Sequence, residues 1–344
     1  MNLPGFVLKR FSLALLTLLG ALIAVFLLTR ILPGNPAKYR AGAFAPPETV
    51  AEIEKQMGLD KPLHVQFARY MNGLLHFDLG TSWNTRRPVA DDLARRLPAS
   101  LELSVASFLL ATVIALPLGI IAAVKKGSLF DQLSRFVTTI SASVALFWMG
   151  TMLIYLLYYR WQLVPAPTGR LDILLPAPDR ITGFYVLDSL LTGNMETLFS
   201  SLKHLFLPAF TLSIAVMGII VKGARTSMLE VLRMDYIRTA YALGMSRRQV
   251  VLEQALQNAL IPVITILALV FGFLMAGNVV VEMLFSWPGI GHYAWNALLS
   301  KDFDSVQGFL LFVSAGYVLL NLLVDLTYGL VDPRIRLGMR GKNA

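Results

Sequence analysis

Six apolar segments, each at least seventeen residues long, restrict what this chain can fold into more than any other feature. They comprise residues 11–28, 103–124, 136–159, 205–221, 258–283 and 309–330. An α-helix rises 1.5 Å per residue, so about 20 apolar residues cross the roughly 30 Å hydrocarbon core of a bilayer. Only 15% of the residues are charged, against about 25% in soluble domains. These features predict an all-α polytopic membrane protein with six transmembrane helices.

The first apolar segment has a competing interpretation. Lys9 and Arg10 precede it, and a basic segment followed by an apolar run also describes a cleaved signal peptide. The run is long for a signal core, and residues 30–36 contain no small-x-small cleavage pattern. We therefore interpret it as the first transmembrane helix.

The distribution of Lys and Arg predicts which side each loop occupies. Four segments hold 15 basic residues in 71 positions, and three others hold 14 in 133. The denser set is 1–10, 125–135, 222–257 and 331–344; the other is 33–98, 160–204 and 284–305. Basic residues are enriched in cytoplasmic loops, so both termini are predicted to face the cytoplasm. We interpret the net charge of +9 as a sign of cytoplasmic loops that contact anionic lipid headgroups, and not as a sign of nucleic-acid binding.

The sequence contains no catalytic, cofactor-binding or metal-binding constellation. It has no cysteine, and its four histidines are scattered without metal-ligand spacing. It also lacks the glycine-rich phosphate-binding motif that ends in Gly-Lys-Ser/Thr. We therefore predict that the chain is not an enzyme and binds neither a cofactor nor a metal.

The polar segment 222–257 lies between the fourth and fifth apolar runs and predicts a short helix, Tyr236–Leu243. Asp235 is a candidate N-cap, because its carboxylate can accept a hydrogen bond from a free backbone amide. At 1.5 Å per residue the helix would be about 12 Å long. Its predicted apolar face, set by helical spacing, comprises Ile237, Ala240 and Tyr241.

Two further signals end this helix and start the next. Gly244 can adopt a left-handed conformation without steric cost and so can terminate the helix. Ser246 and Gln249 form a Ser-x-x-Gln capping box. A short exposed helix between two membrane spans suits docking against another protein. The alternative is an amphipathic hairpin at the membrane surface that has no partner.

The pattern Arg238-Thr239-Ala240-x-x-x-Gly244 resembles the EAA loop of ATP-binding-cassette (ABC) importer permeases. The match is to the variant found in the dipeptide, oligopeptide and nickel subfamily. Arg238 and Thr239 replace the Glu-Ala of the general motif, and its closing proline stands five residues later, at Pro262. In that family the loop forms a coupling helix that sits in a groove of the ATPase. The resemblance implies that the ATPase-coupling residues are Asp235, Tyr236, Arg238, Thr239, Ala240, Gly244, Ser246 and Arg247.

Other motifs extend the resemblance over essentially the whole chain. They lie at residues 59–63, 78–82, 96–103, 285–291 and 332–336. Two positions depart from the family pattern. Asn35 stands where aspartate is more frequent, and Ala145 replaces a proline that usually precedes Phe147-Trp148, which leaves the kink expected there open.

The resemblance implies a type I ABC importer in which this chain is the B-type permease subunit. Its partners would be a paralogous second permease, two cytosolic ABC ATPases that bind ATP and Mg²⁺, and an extracytoplasmic solute-binding protein. Di- and oligopeptides are the default cargo. The same subfamily also carries nickel or metal chelates, opines, glutathione and oligosaccharides.

The predicted organisation has three parts. Residues 1–32 form the cytoplasmic N-terminus and first transmembrane helix, and 33–98 a small helical extracytoplasmic cap. Residues 99–344 form the permease core with the coupling loop 222–257. The cap and segment 284–305 would receive the solute-binding protein.

Ionisable residues near the apolar runs help to separate the classes of transporter. Glu102, Glu282 and Asp325 all lie within a few residues of a span's end, so we expect ordinary interfacial placement. A secondary transporter would be expected to carry such groups near mid-membrane. Secondary transport is therefore the distant alternative.

Several residues could line the translocation pathway, or could equally be ordinary packing residues. They are Phe147, Trp148, Phe271, Met275 and Asn278. In the fifth span, Gly272 and Gly277 are small enough for close helix approach.

Overall fold

The computed structural model describes residues 3–31, 35–42, 44–275 and 278–331. Within these ranges the regular elements are helices, and the only β pairing is an isolated antiparallel bridge between Thr81 and Pro88. The chain is thus an all-α polytopic protein. Gly277, the motif at 332–336 and the Asp325 side chain lie outside what is described.

The chain forms two compact units, one of residues 1–98 with 289–344 and one of residues 99–288. The first unit contains helices from both ends of the chain. They are α1 (Leu3–Ile31), α2 (Pro36–Ala41), α3 (Pro47–Met57), α4 (Leu63–Leu75), the first ten residues of α5 (Val89–Val124), α14 (Ile290–Leu299) and α15 (Phe303–Val331). Helices α1 and α15 pack along each other.

Local caps and buried polar contacts order the short helices of this unit. The Asn35 side chain accepts hydrogen bonds from the amides of Ala37 and Lys38, so it caps α2 as an aspartate would. The Ser82 hydroxyl donates to the Asp302 carboxylate at 2.6 Å, and both residues are buried. This bond joins two segments that are 220 residues apart.

The second unit is built around one long buried helix, α9. The first helices of this unit are the remainder of α5, α6 (Leu129–Ser143), α7 (Leu146–Leu153) continued by a π-helix (Ile154–Arg160), α8 (Tyr185–Leu191) and α9 (Met195–Val231). They are followed by α10 (Asp235–Ala242), α11 (Arg247–Gln249) continued by a π-helix (Val250–Ala255), α12 (Leu256–Met275) and α13 (Val279–Leu284). Helices α6, α7, α8 and α12 pack against α9. The buried core includes Leu103, Leu212, Ile220, Leu274 and Trp287.

In the part of the chain that the structure describes, five helices are long and apolar enough to cross a membrane, and a bent pair supplies a sixth crossing if it counts as one span. The five are Val7–Arg30, Val89–Val124, Met195–Val231, Arg247–Met275 and Phe303–Leu322, and the pair is Leu129–Ser143 with Leu146–Arg160. The pair bends by 110°, so the single span predicted at 136–159 is broken. Val144 and Ala145 are extended at the break, and the kink therefore occurs without the proline.

Most of the spanning helices are longer than the apolar runs that predicted them. Helix α5 is continuous through Pro98 and Pro117, so the end of the predicted cap and the second span form one helix. Helix α9 begins at Met195, where the Asn194 side chain accepts from the Thr197 amide. Apolar composition marks only the part of a helix that lies in hydrocarbon, whereas caps and helix propensity decide where it ends.

Close helix approach occurs at glycines other than the predicted Gly272. A Cβ on Gly119 would lie 2.7 Å from the Val221 carbonyl oxygen, and one on Gly218 would lie 2.7 Å from the Ser141 Cβ. Gly272 has no neighbouring atom within 4 Å of the same position. Glycines on α5 and α9 therefore bring helices together within this chain, whereas Gly272 makes no such close contact in it.

The loop before α8 is organised by Asp188. Its carboxylate accepts hydrogen bonds from the Thr182 amide and hydroxyl, both at 2.7 Å, and from the Gly183 amide at 2.8 Å. Burial on its own would raise the pKa of Asp188, but these hydrogen bonds outweigh it and hold the pKa below its usual value. The residue thus stays ionised and fixes the loop.

Candidate functional site

Helix α10 begins one residue earlier than the sequence predicts. Met234 is its N-cap, in an extended conformation, and Asp235 is the first helical residue. The predicted N-cap role of Asp235 is therefore wrong, since no side chain caps this end. Asp235 instead lies 3.5 Å from Arg238 Nη1 on the exposed surface, and its backbone carbonyl accepts from the Thr239 hydroxyl at 3.2 Å. A carboxylate in the first turn still favours the helix dipole.

The end of α10 is a glycine-dependent turn, as the sequence predicts. Gly244 has φ +81°. Its amide donates to the Tyr241 carbonyl at 3.0 Å, and the Met245 amide donates to the Ala240 carbonyl at 3.2 Å. This pair of bonds is the Schellman arrangement, which requires a left-handed residue at this position.

The predicted capping box at the start of α11 is confirmed. The Ser246 hydroxyl accepts from the Gln249 amide, and the Gln249 side chain accepts from the Ser246 amide at 3.1 Å. The short α11 passes through the π-helix directly into α12. Helix α10 is therefore joined to a spanning helix by the four-residue turn 243–246.

One face of α10 is buried, but it is narrower than predicted. Ile237 and Ala240 are buried, whereas Tyr241 is 44% exposed, which corrects its predicted place on the apolar face. At 100° per residue Tyr241 lies outside the arc that Ile237 and Ala240 span. The buried pair packs in a cluster with Ala123, Met228, Val250, Ala255 and Ala259.

The opposite side of the same helix presents apolar side chains to solvent. We call these residues the α10 surface: Met234, Tyr236, Arg238, Tyr241 and Leu243. Leu243 alone is 78% exposed. Exposed apolar residues near a charged side chain are typical of a protein interaction site.

Two polar contacts connect this segment to the ends of spanning helices. The Tyr236 hydroxyl accepts from Asn258 Nδ2 of α12 at 3.1 Å. Arg247 Nη2 donates to the carbonyl of Val124, the last residue of α5, at 2.9 Å. A cation at a helix C-terminus stabilises its free carbonyls. Arg247, expected to meet a partner, thus also has an internal role.

Asp131 is a functional candidate that the sequence reasoning missed. Its side chain is 2% exposed and lies 2.8 Å from Arg225 Nε of α9 and 3.4 Å from Arg135 Nη2. It also accepts from the Gly127 amide at 3.0 Å. The available signal was a lone acid in the short basic loop 125–135, opposite the arginine near the start of the polar segment. This cluster ties α6 to the end of α9 that leads into α10.

The five pathway candidates lie on three different helices or at their ends. Phe147 and Trp148 open α7 after the bend, and each is 54% exposed. Phe271 of α12 packs edge-on against Phe108 at a centroid distance of 5.2 Å. Met275 ends α12, and Asn278 Nδ2 donates to the Leu274 carbonyl at 2.9 Å. Their pathway role stays a prediction.

Glu102 and Glu282 are buried, which corrects their expected interfacial placement. They are 5% and 1% exposed. Glu102 forms an ion pair with Arg170 and accepts from the Val186 amide at 2.8 Å. Glu282 accepts from the Ser100 hydroxyl at 2.6 Å. A buried carboxylate needs such partners, and they come from segments 68 to 182 residues away.

Arg170 is held by more than its carboxylate partner. Its guanidinium lies 3.5 Å from the centroid of the Tyr185 ring and 5.7 Å from that of Trp287. It also donates to the Gly183 carbonyl at 2.9 Å. The loop before α8 is thereby fixed to α5 by a buried cation.

Two family profiles together match nearly the whole chain. The profile "Binding-protein-dependent transport system inner membrane component" matches residues 115–337. The profile "Binding-prot-dependent transport system membrane comp, N-term" matches residues 3–104. The matched regions include every residue of the α10 surface.

Individual relatives match over nearly their full length. The chain is 46% identical over 323 residues to the probable D,D-dipeptide transport system permease protein DdpB of Escherichia coli K12, covering 94% of this chain and 95% of the relative. It is 40% identical over 334 residues to the dipeptide transport system permease protein DppB of the same strain, covering 96% and 98%. It is 36% identical over 332 residues to the glutathione transport system permease protein GsiC of Salmonella paratyphi A, covering 96% and 99%.

Proposed function

The chain belongs to the family of binding-protein-dependent transport system inner membrane components, and on this premise we propose that it is the permease subunit of an ATP-driven importer of di- or oligopeptides. It is a multi-pass permease of the inner membrane. The finer assignment concerns its cargo, its partners and its orientation. Each of these rests on particular features of the chain.

The observation that carries the proposal is the α10 surface. This helix is packed on one face and exposed on the other, and its exposed side chains combine two tyrosines with charged and polar residues. Membrane lipid is a poor occupant for a helix held by polar contacts at both ends. A groove on a cytosolic ATPase, as the EAA-type motif implies, accounts for the exposed apolar residues.

The coupling route follows from the contacts of this segment. When the ATPases close on ATP, α10 moves with them as a lever. The motion reaches α12 through the Tyr236–Asn258 hydrogen bond and the continuous α11, and it reaches α5 through Arg247. The nucleotide and Mg²⁺ would be bound by the partner subunits.

The remaining partners and the orientation complete the proposed complex. A paralogous second permease pairs with this chain, so Phe147 and Trp148, exposed in the single chain, either line the shared pathway or meet that subunit. The enrichment of Lys and Arg in one set of segments supports a cytoplasmic position for both termini and for α10. The cap within 33–98 then faces the solute-binding protein outside.

Peptides are the proposed cargo because relatives across the similarity range are named for peptides. DdpB and DppB are named for dipeptides and GsiC for glutathione, itself a tripeptide. Glutathione is therefore the second candidate. Uptake of a labelled dipeptide against labelled glutathione, each with its cognate binding protein, separates the two.

The test of the coupling site uses the reconstituted complex of permeases, ATPases and loaded binding protein. Arg238→Glu inverts an exposed charge on the α10 surface without removing a buried contact. We expect this variant to lose stimulation of ATP hydrolysis by loaded binding protein, while the complex still inserts in the membrane. The change of charge repels acidic groups on the ATPase that the arginine would pair with.

Lys126→Glu is the matched control, because Lys126 is an exposed basic residue in the neighbouring loop. If Arg238 only binds anionic headgroups, worth about 1 kcal/mol per basic residue, both variants behave alike. Full stimulation in Arg238→Glu would place the coupling site elsewhere.

A further inference from the structure

A polar cavity of about 220 Å³ lies in the unit formed by the two ends of the chain. It is lined by Arg30, near the end of α1, and by Asp304, near the start of α15. Both helices are candidate membrane spans, so the cavity lies where each of them leaves the hydrocarbon, at the depth of the lipid headgroups. None of the residues proposed for transport lines it.

Its cationic side is formed by Arg30 and Arg69. Arg30 Nε donates to Gln66 Oε1 at 2.8 Å, and Gln66 is fixed by bonds to the Leu59 and Lys61 carbonyls. This bond uses only Nε, which leaves the terminal nitrogens of Arg30 for a ligand. Arg69 packs across Gly58 and also lines the cavity.

Its anionic side is formed by Asp304, with Asp78 nearby in the lining. Among the described residues, no direct ion pair joins either aspartate to Arg30 or Arg69. Two charges of each sign thus line one cavity without neutralising each other in contact. A ligand that carries both signs of charge would be complementary to such a lining.

Unpartnered donors in the lining also indicate a missing ligand. Gln307 is 8% exposed, and its Nε2 has no hydrogen-bond partner. The Tyr70 hydroxyl is buried beside Gln307, and it too makes no hydrogen bond of normal length. Burial raises the pKa of Tyr70, so the phenol remains a neutral donor. A buried donor without a partner costs free energy that an acceptor on a ligand would restore.

The lining of α15 changes from polar to apolar along one face. Asp304, Gln307, Gly308 and Leu311 recur at helical spacing, and they cover about 10 Å of the helix. The charged end lies at the helix start, and Leu311 lies two turns into the span. This order matches a polar headgroup followed by the start of an acyl chain.

We propose that this cavity binds the phosphoethanolamine headgroup of a membrane phospholipid. The phosphate oxygens accept from Arg30, Arg69 and the Tyr70 hydroxyl, and the ammonium group donates to Asp304. Arginine is well suited to phosphate because its planar guanidinium can donate two bonds at once. A headgroup that carries charge of only one sign would leave either the arginines or the aspartates without a partner of opposite charge.

A lipid is favoured over a soluble zwitterion, such as a free dipeptide, by the surroundings of the cavity. Helix α1 exposes large apolar side chains along its length, among them Leu16, Leu19, Ile23 and Leu27. The acyl chains of a lipid bound at Arg30 would continue along this face. A soluble dipeptide would leave the Leu311 end of the cavity without a counterpart.

The proposal is tested by lipid retention. The delipidated full-length chain is exchanged into vesicles that contain equal parts of phosphatidylethanolamine, phosphatidylglycerol and phosphatidylcholine, and the lipids that remain after detergent extraction are counted by native mass spectrometry. We expect phosphatidylethanolamine to be retained about tenfold over the others, as one charge-assisted bond suffices for that ratio. Equal retention of the three lipids overturns the proposal.

Two variants of one residue separate binding from folding. Asp304→Asn removes the group that recognises the ammonium and should abolish the preference for ethanolamine. Asp304→Lys should invert it toward phosphatidylglycerol, a result that a misfolded chain cannot give. Arg87→Gln is the control, because Arg87 is an exposed basic residue of the same cap that does not line the cavity, and it should behave as wild type.

A separate binding measurement distinguishes a lipid from a soluble ligand. Free glycylglycine and free phosphoethanolamine are added at millimolar concentration to the lipid-free chain. Retention of either one to the same occupancy as the lipid would identify a soluble-zwitterion site and overturn the proposal. If Asp304→Lys still preferred phosphatidylethanolamine, that result would also overturn the proposal.

Discussion

Gly244 shows how one residue shapes the α10 segment. Its φ of +81° is one that β-branched residues rarely adopt, yet the space around it is open, with no atom within 4 Å of a Cβ position. A substitution there acts through the backbone and not through a clash. It would therefore change the direction in which the chain leaves α10.

We predict that Gly244→Val lowers transport while the protein still inserts. The left-handed position penalises such a residue by roughly 1–2 kcal/mol. The population of the native turn relative to other conformations would fall about five- to thirtyfold. Peptide uptake and ATPase co-purification measure it. Gly193→Val is the matched control, because Gly193 has φ +70° and equally open space but lies between α8 and α9. Normal uptake by Gly244→Val would contradict the prediction.

Single residues also show where local sequence reasoning succeeds. The Ser246 capping box and the Gly244 turn were predicted because each depends on atoms within five residues of one another. Asp235 was predicted wrongly because Asp235 or Met234 could each precede the first turn. The packing of Ile237 and Ala240 against distant helices decided between them.

Between elements, the buried Asp131 joins α6 to α9. Arg225 lies 2.8 Å from its carboxylate and is 23% exposed, whereas Arg135 lies at 3.4 Å and is 70% exposed. The two arginines share one acid but differ in solvent access. They therefore provide an internal comparison of a shielded and a screened ion pair.

We predict an unequal coupling energy for these two arginines. A double-mutant cycle of Asp131→Asn with Arg225→Gln should give about 1.5–3 kcal/mol, the range for a bond to a charged group. The cycle with Arg135→Gln should give about 0–1 kcal/mol, as for an exposed pair. Unfolding of the purified chain in detergent measures both. Equal values would mean that α6 and α9 are not held by this carboxylate.

At the scale of the whole molecule, the absence of cysteine makes the proposed topology directly testable. Any introduced thiol is the only one in the chain. The structure also selects the positions, since the Thr85 hydroxyl bonds to Asp92 and Arg247 bonds to Val124. Their neighbours Asn84 and Arg248 are exposed and are therefore better sites for an introduced cysteine.

We predict that cysteines at Asn84 and Asp172 react with a membrane-impermeant reagent in intact cells. A cysteine at Arg248 should react only after permeabilisation, because the basic segments are expected in the cytoplasm. Mass-tag labelling measures each fraction. Labelling of position 248 in intact cells would reverse the proposed orientation of the chain.

The sequence by itself determined the class of the protein and the local form of α10. Apolar runs of membrane length, the glycine turn and the capping box depend on neighbouring residues, so a linear reading contains them. The 110° bend at residues 144–145 lay beyond that reading, because the usual proline is absent there. Its extended backbone was recognisable only in the structure.

Only the tertiary structure decided what the charged residues do. Glu102, Glu282, Asp131 and Arg247 find partners 68 to 182 residues away in the chain. Near a span's end the same side chain can reach water, lipid or another helix, and its energy differs greatly among these surroundings. The two glutamates and Asp131 are buried because the long-range contacts of α5, α8 and α9 supply a polar partner for each carboxylate.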